Sequence, residues 1–235
     1  YTSQSSDFCY TSSHDFMSVW TTLYSIDFFD KMGNYERIGG LEVARVGDDA
    51  RMDEIKRKVA SAKAFGSRSH LIGPKEIKEK FPLIEESMVQ GGLWDPDAGL
   101  VTPRSQTVAG KLVDMAEKTG KLKPYANTAA KSLLIENGRI KGVETSRGTI
   151  MADHVVVCAG IWGRLIAEMA GEDLPVMPID HPLTFFGPYT EFAGTGKDIG
   201  YPLLRDQGNS AYMRDTGDPT TSEGGMIEWG YYEDK

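Results

Sequence analysis

The chain has 235 residues, of which 40% are hydrophobic, which is enough for one large domain or two interleaved ones. Its net charge of −8 and the lack of a Lys/Arg cluster exclude a nucleic-acid or anionic-membrane surface, because phosphate neutralisation needs concentrated positive charge. No run of ~18 apolar residues occurs, so the sequence predicts no membrane span.

Cysteine and histidine are sparse and scattered. The two cysteines, Cys9 and Cys158, form no CxxC motif, which predicts a reducing compartment, either the cytoplasm or the mitochondrial matrix of a eukaryote. The four histidines lack the spacing of metal ligands, so we predict no metal site.

Helical periodicity and turn residues predict three helices in the first 80 residues. The first has Ser12 or Ser13 as its N-cap and stops at Gly33. The second covers residues 53–65, and the third begins with Pro74 in its first turn. Strand-like runs separate the helices, which indicates a mixture of helix and sheet.

The first helix carries an aromatic stripe that suggests a cage for a methylated amine. Helical spacing favours packing in the core as the simpler interpretation, and we expect the core. The aromatic residues concerned are Phe16, Trp20, Tyr24, Phe28 and Phe29.

Residues 91–120, GGLWDPDAGLVTPRSQTVAGKLVDMAEKTG, predict a strand, a turn and a long helix. Thr102 is the expected N-cap of that helix and Gly120 its end. Asp95 and Asp97 flank a proline, so we interpret them as turn residues without a catalytic role.

The pattern then changes to short strands. The turns ENGR (136–139) and SRGT (146–149) predict a three-stranded meander, followed by a buried strand in VVVC (155–158). A short helix follows in WGRLIAEMAG (162–171), and after it we predict only strands and loops. The whole indicates an α/β (mixed α+β) chain with a sheet-rich part.

The strand predicted at 155–158 runs into the two small residues Ala159 and Gly160. Small residues at a strand end let a ligand's phosphate or ribose approach the backbone, but a tight crossing from strand to helix explains them as well. A GxGxxG motif would favour the ligand. The nearest match, GTGKDIG at 194–200, has the wrong spacing and predicts a loop.

Four longer segments carry a family resemblance. They are IGGLEVARVGDDARMDEIKRKVASAKAFG (38–66), GGLWDPDAGLVTP (91–103), NGRIKGVETSRGTIMADHVVVCAGIWG (137–163) and PLLRDQGNSAYMRDTGD (202–218). Together they resemble the FAD-dependent amine oxidoreductases of the D-amino-acid-oxidase superfamily, and among them most closely the dimethylglycine and sarcosine oxidase/dehydrogenase branch.

The resemblance implies FAD as cofactor and oxidation of the C–N bond of a small N-methylated amino acid, with an electron acceptor such as oxygen or a carrier as second partner. It also implies an incomplete FAD-binding domain (1–37 and 96–173) interleaved with a sheet-rich substrate domain (38–95 and 174–235). We expect the chain to be an internal piece, without the family's opening GxGxxG unit or its closing FAD segment, and inactive alone.

Six residues match functional positions of the family, and a seventh candidate follows from its spacing to one of them. The resemblance implies that Ala130 meets the adenine part of FAD through its backbone, and that Ala159, Gly160 and Trp162 lie at the end of the cofactor strand. It implies a place for His181 near flavin and substrate.

The resemblance further implies that Tyr212 lies at the same active site as His181. Arg214 follows two residues after Tyr212, on the same strand face, and is a candidate for holding the substrate carboxylate. Ordinary structural roles in the sheet stay open for all three side chains. Two other functions stay open as well: action on another amino or 2-hydroxy acid, and a flavin-free binding module.

Overall fold

The structure, a computed structural model, describes residues 5–194, 196, 199–220 and 224–232. Three residues of the GTGKDIG segment, Thr195, Lys197 and Asp198, lie outside the described residues. The chain divides into two compact units, unit 1 (1–112 and 181–235) and unit 2 (113–180). The mixture of helix and sheet is confirmed, whereas the assignment of segments to an FAD domain and a substrate domain stays a prediction.

Five α-helices lie within the described residues, and none is long and apolar enough to cross a membrane. They are α1 (Phe16–Lys31), α2 (Asp49–Ala64), α3 (Pro74–Lys80), α4 (Ser105–Lys118) and α5 (Gly163–Met169).

Unit 1 is built on two sheets. A small sheet has the order β1-β6-β2 and consists of β1 (Phe8–Cys9), β2 (Tyr35–Arg37) and β6 (Gly99–Val101). The main sheet consists of β3 (Gly40–Arg45), β4 (His70–Ile72), β5 (Val89–Asp95), β10 (Leu183–Phe186), β11 (Leu203–Asp206), β12 (Ala211–Asp215) and β13 (Ile227–Tyr231). Its seven strands have the order β10-β13-β12-β11-β3-β5-β4, and β11 joins the two halves by pairing in parallel with β3.

Helices cover both faces of the main sheet on the β3–β5 side. On one face, Leu41 and Leu204 belong to the apolar cluster that contains Phe81, just after α3. On the other, which we call the α2 face, Leu93 packs against Ile55 of α2. Because directly paired residues project to the same face, the pairing of the strands extends the α2 face across β11, β12 and β13.

Unit 2 contains the predicted meander, which is confirmed as an antiparallel sheet of β7 (Ala130–Glu136), β8 (Arg139–Thr145) and β9 (Gly148–Met151). Asn137 and Gly138 in the ENGR turn have φ of 52° and 73°. Two successive positive φ values are those of a type I′ turn, which is why an Asn-Gly pair connects these strands.

The buried strand predicted at 155–158 is wrong. These residues adopt no regular structure, and Val156 and Val157 are 84% and 47% exposed. A strand requires a neighbour for its backbone hydrogen bonds, and no described strand pairs with this segment. The apolar run correctly indicates residues that favour a strand, but no described strand is available to pair with them.

The core position predicted for the aromatic stripe of α1 is wrong as well. Phe16, Trp20, Tyr24 and Phe28 are exposed, and the helix buries Val19 and Ile26 instead. Apolar residues surround most of this helix, so their spacing could not indicate which side faces the sheet.

Three predicted helix starts are shifted, and a carboxylate caps each observed start; in α1 and α4 it replaces the hydroxyl cap that was expected. Asp15 caps α1 by accepting from the Ser18 amide at 2.8 Å. Helix α2 starts at Asp49, four residues earlier than predicted, with Asp48 as N-cap. Asp7, distant in sequence, accepts from the amide of Ser105 at the start of α4 at 3.0 Å, in place of a cap at Thr102.

Candidate functional site

A row of paired residues crosses the α2 face of unit 1. Tyr212 of β12 lies directly opposite Arg205 of β11 on one side and Gly230 of β13 on the other. Arg205 in turn pairs with Glu42 of β3. Directly opposite residues share a face, so the Tyr212 phenol and the Arg205 guanidinium project together from the part of the sheet next to α2.

The ring of Tyr212 packs directly against the backbone of Gly230. A Cβ at position 230 would overlap the ring and hydroxyl of Tyr212. The glycine therefore lets the phenol lie flat across the neighbouring strand, which restricts where its hydroxyl can point.

Aromatic rings link Tyr212 to His181. The Tyr212 ring contacts Phe8 edge-on at 5.8 Å and Tyr232 at 5.7 Å. The exposed His181 ring meets Tyr232 edge-on at 4.4 Å. The structure thus brings the two predicted catalytic residues into contact with one aromatic ring, Tyr232, which the sequence analysis did not single out.

The Tyr212 hydroxyl is held in its protonated form. Burial, then the neighbouring Tyr232 and the Glu228 carboxylate, raise the pKa of Tyr212 above the ordinary tyrosine value. At neutral pH the group is therefore a hydrogen-bond donor, suited to an acceptor such as a carboxylate or an amine lone pair.

Tyr212 borders a cavity of about 520 Å³ with mainly polar walls. Its charged walls are Arg51, Glu54 and Arg205. Arg51 is engaged, since it pairs with Glu54 at 2.5 Å and donates to the backbone oxygen of Gln207 at 3.1 Å. The remaining lining residues are Ser6, Phe8, Gln207, Ser210, Ala211, Tyr212 and Tyr232.

Arg205 lies with its guanidinium carbon 3.8 Å from the centre of the Tyr10 ring. The hydroxyl of the buried Tyr10 donates a hydrogen bond to the backbone oxygen of Leu41 at 3.3 Å, which fixes the position of the ring. The sequence analysis missed Arg205, because the pairing of β11 with β12 depends on a register that the residues alone did not disclose.

Arg214 lies on the α2 face as predicted but is buried in an ion pair. Its Nη2 lies 2.6 Å from the Glu228 carboxylate, and the two side chains are 7% and 2% exposed. Burial raises the pKa of Glu228, while Arg214 opposes that rise. The role predicted for Arg214 in holding a substrate carboxylate stays a prediction, and in this structure its guanidinium faces a carboxylate of the protein.

The predicted cofactor residues lie in unit 2. Ala159 and Gly160 line a mainly apolar cavity of about 610 Å³, together with Leu133 and Val157. Ala130 is the exposed first residue of β7, and Trp162 is an exposed residue whose amide donates to the Ala159 oxygen at 3.0 Å. The structure therefore brings two of the four cofactor candidates into one cavity.

The backbone at Gly160 is bare, which fits the close approach of a flat cofactor. Its φ is +54°, and no atom lies within 4 Å of the position that a Cβ would occupy. An apolar cavity beside an uncovered glycine suits planar ring systems, and the predicted contact of Ala159 and Gly160 with FAD stays a prediction.

Asp95 and Asp97 support the fold at the junction of β5 and β6. Asp95 is buried and accepts from the amide of Thr11 at 2.6 Å, while Asp97 pairs with Arg68. These contacts agree with the interpretation as a turn. No cluster of three or more His, Cys, Asp or Glu side chains suited to a metal ion occurs among the described residues.

Unit 1 thus has a polar cavity beside Tyr212, and unit 2 has an apolar cavity beside bare backbone. The FAD dependent oxidoreductase family matches residues 10–234, nearly the whole chain. The chain belongs to this family, and its cofactor class is FAD.

Three curated relatives show how the chain compares within the family. It is 32% identical to human dimethylglycine dehydrogenase over 70% of this chain and 18% of that protein. It is 30% identical to human sarcosine dehydrogenase over 84% of this chain and 21% of that protein. A mouse pyruvate dehydrogenase phosphatase regulatory subunit is 28% identical over 84% of this chain and 21% of that protein. The chain thus spans about a fifth of the length of these relatives.

The fold is also that of a solved dehydrogenase. L-proline dehydrogenase from P. horikoshii matches with a TM-score of 0.75 and 29% identity, over 95% of this chain and 57% of that one. The fold assignment based on the resemblance is therefore confirmed.

Proposed function

We propose that the protein to which this chain belongs oxidises the C–N bond of a small N-methylated amino acid such as dimethylglycine or sarcosine. Two of the three relatives act, by their names, on those two compounds. The observation that carries the proposal is that Tyr212 and His181 both contact the ring of Tyr232, and that Tyr212 and Tyr232 line the polar cavity of unit 1.

The reaction assigns distinct tasks to these side chains. When bound, FAD supplies the acceptor for the hydride that leaves the carbon next to nitrogen. The amine must be neutral to react, so a group that accepts its proton is needed, and we assign that task to the imidazole of His181 as a general base. The protonated hydroxyl of Tyr212 orients the substrate by donating a hydrogen bond.

The cofactor residues of unit 2 form a second part of the proposal. Ala159 and Gly160 would lie against FAD through bare backbone, Ala130 would meet its adenine part, and Trp162 would border the same strand end. The domain boundaries, the electron acceptor and a cytoplasmic or mitochondrial location belong to the proposal too; the free cysteines and the mitochondrial names of the relatives support a reducing compartment.

The test is a substrate panel on the full-length, FAD-loaded protein, with loss of the visible flavin band as readout. We expect dimethylglycine and sarcosine to bleach the flavin faster than a primary D-amino acid or a 2-hydroxy acid. Bleaching by the 2-hydroxy acid alone would exclude the amine assignment.

A second function, regulation without catalysis, is favoured by the similarity to the phosphatase regulatory subunit. In that case the fold would serve as a binding module. A colourless full-length protein that cannot be reconstituted with FAD would support this candidate, whereas stoichiometric flavin would exclude it.

A further inference from the structure

We propose that Arg205, not Arg214, binds the carboxylate of the substrate. This inference rests on the proposed function, because it assumes a small amino acid in the cavity beside Tyr212. The geometry at Arg205 supports this role. Its guanidinium lines the cavity, lies opposite Tyr212 and has no carboxylate partner among the described residues.

Three arginines compete for this role, and their partners distinguish them. Arg214 is buried against Glu228 and does not line the cavity. Arg51 lines the cavity but is neutralised by Glu54. Only Arg205 of the three brings an uncompensated positive charge to the wall, and the walls contain two arginines and one glutamate.

The Tyr10 ring prepares Arg205 for an anion. A guanidinium stacked on an aromatic face keeps its in-plane N–H groups free, and these form two parallel hydrogen bonds with a carboxylate. The stack also limits the rotamers of the long side chain, so less conformational entropy is lost when the anion binds. Tyr10 is itself anchored on Leu41, which makes it a positioning residue for Arg205.

The spacing of the site favours a short substrate. Side chains directly opposite on antiparallel strands start about 5 Å apart at Cβ. A carboxylate on Arg205 then leaves the amine of an α-amino acid next to Tyr212, whereas a longer chain between carboxylate and amine would have to bend.

The experiment measures anion binding rather than turnover. Methoxyacetate has the shape of sarcosine with an ether oxygen in place of the amine, so it occupies the site without amine oxidation; methoxyethanol lacks the carboxylate. Both are titrated by calorimetry into the full-length FAD-loaded protein and its variants Arg205→Leu and Arg205→Lys. Arg57→Leu, an exposed position on α2, is the matched control for net charge.

We expect Arg205→Leu to weaken methoxyacetate binding by about 10- to 100-fold, because hydrogen bonds to a charged group are lost. Arg205→Lys should recover part of the loss, and Arg57→Leu should bind as the wild type does. Methoxyethanol binding should not change in any variant. If circular dichroism shows that the leucine variant does not fold, the lysine variant decides, since wild-type affinity there excludes bidentate binding by Arg205.

The outcomes separate this inference from the proposed function. Wild-type affinity for methoxyacetate in Arg205→Leu, or no binding by the wild type, overturns the role of Arg205 even if dimethylglycine reduces the flavin. Loss of binding in Arg205→Leu supports the role even if N-methylated amino acids fail as substrates, in which case the proposed substrate class alone is wrong.

Discussion

Units 1 and 2 differ in how their apolar residues are used. Every hydrophobic side chain that is buried in the described structure lies in unit 1, and so do its three apolar clusters. In unit 2, large apolar side chains such as Val156, Leu165 and Met177 face solvent. Tyr212 therefore stands on the packed sheet of unit 1, with His181 just before strand β10, whereas the residues of the cofactor proposal stand on a unit with little core of its own.

Two short apolar runs show the origin of this difference. Leu203 and Leu204 are buried because β11 lies between β3 and β12, with hydrogen bonds on both sides. The run at 155–158 has equal apolar character and no described partner strand. An apolar run thus becomes a strand where a neighbour completes its hydrogen bonds, and side chains on such a strand are held more precisely than side chains on a loop.

The largest effect on the free energy of unfolding is expected at a buried ion pair in the core of unit 1, compared with an exposed pair on the same helix. Lys58 of α2 pairs with Glu42 at 2.8 Å, with side chains 7% and 0% exposed, whereas Lys56 and Asp53 are 53% and 61% exposed. Lys58→Met leaves a buried carboxylate unpaired and should lower the free energy of unfolding by about 3–5 kcal/mol. Lys56→Met should change it by less than about 1 kcal/mol. Equal losses in urea denaturation would contradict the difference.

Truncating one apolar residue in each unit tests the comparison directly. Leu93→Ala removes a fully buried side chain of unit 1 and should cost about 2–5 kcal/mol of unfolding free energy. Val156→Ala in unit 2 should stay within about 0.5 kcal/mol, because the side chain faces solvent. A loss of similar size at Val156, measured by denaturant titration, would show that this segment is packed in solution.

The two units should also respond differently in the full-length enzyme. Tyr212→Phe and His181→Ala in unit 1 should lower turnover by ~10²-fold and leave FAD affinity unchanged. Ala159→Leu in unit 2 fills part of the apolar cavity and should weaken FAD binding while turnover at saturating FAD persists.

The control for these variants is Tyr231→Phe, a change at an exposed residue next to Gly230. Stopped-flow flavin reduction gives the turnover step, and fluorescence titration gives the FAD affinity. Wild-type reduction rates in both unit 1 variants would remove the proposed roles of Tyr212 and His181.

The smallest expected effect concerns pH. The hydrogen bond from Arg68 lowers the pKa of Asp97 below its ordinary value. A carboxyl with a lowered pKa in the folded state adds stability above its unfolded pKa of ~3.9, and this contribution is lost as the pH falls through the folded value.

Arg68→Ala should therefore raise the pKa of Asp97 and reduce stability at neutral pH only slightly, since Arg68 is mostly exposed and solvent screens the pair. The difference from wild type should vanish in strong acid. Arg139→Ala, at an exposed position in unit 2, is the control. NMR titration gives the pKa of Asp97, and unfolding at neutral pH and in strong acid gives the stability. A stability difference that persists in acid would assign the effect to packing.

The sequence by itself determined local structure and family. Proline at a helix start, Asn-Gly in a hairpin and alternation in short strands depend on neighbours in the chain, so α3 and the β7–β9 meander were predicted close to their observed bounds. The family resemblance, which rests on four segments in the right order, was confirmed and gave FAD as cofactor.

The tertiary structure decided everything that depends on residues distant in the chain. The cap of α4 at Asp7, the exposed side of α1 and the contacts of Tyr232 with both Tyr212 and His181 follow from packing and strand register, which no local pattern contains. Arg205 and Arg214 are both arginines in short strands, and nothing in the sequence around them indicates different roles. Only the sheet places one over an aromatic ring at a cavity and the other against a buried carboxylate, because pairing between strands fixes the neighbours of each side chain.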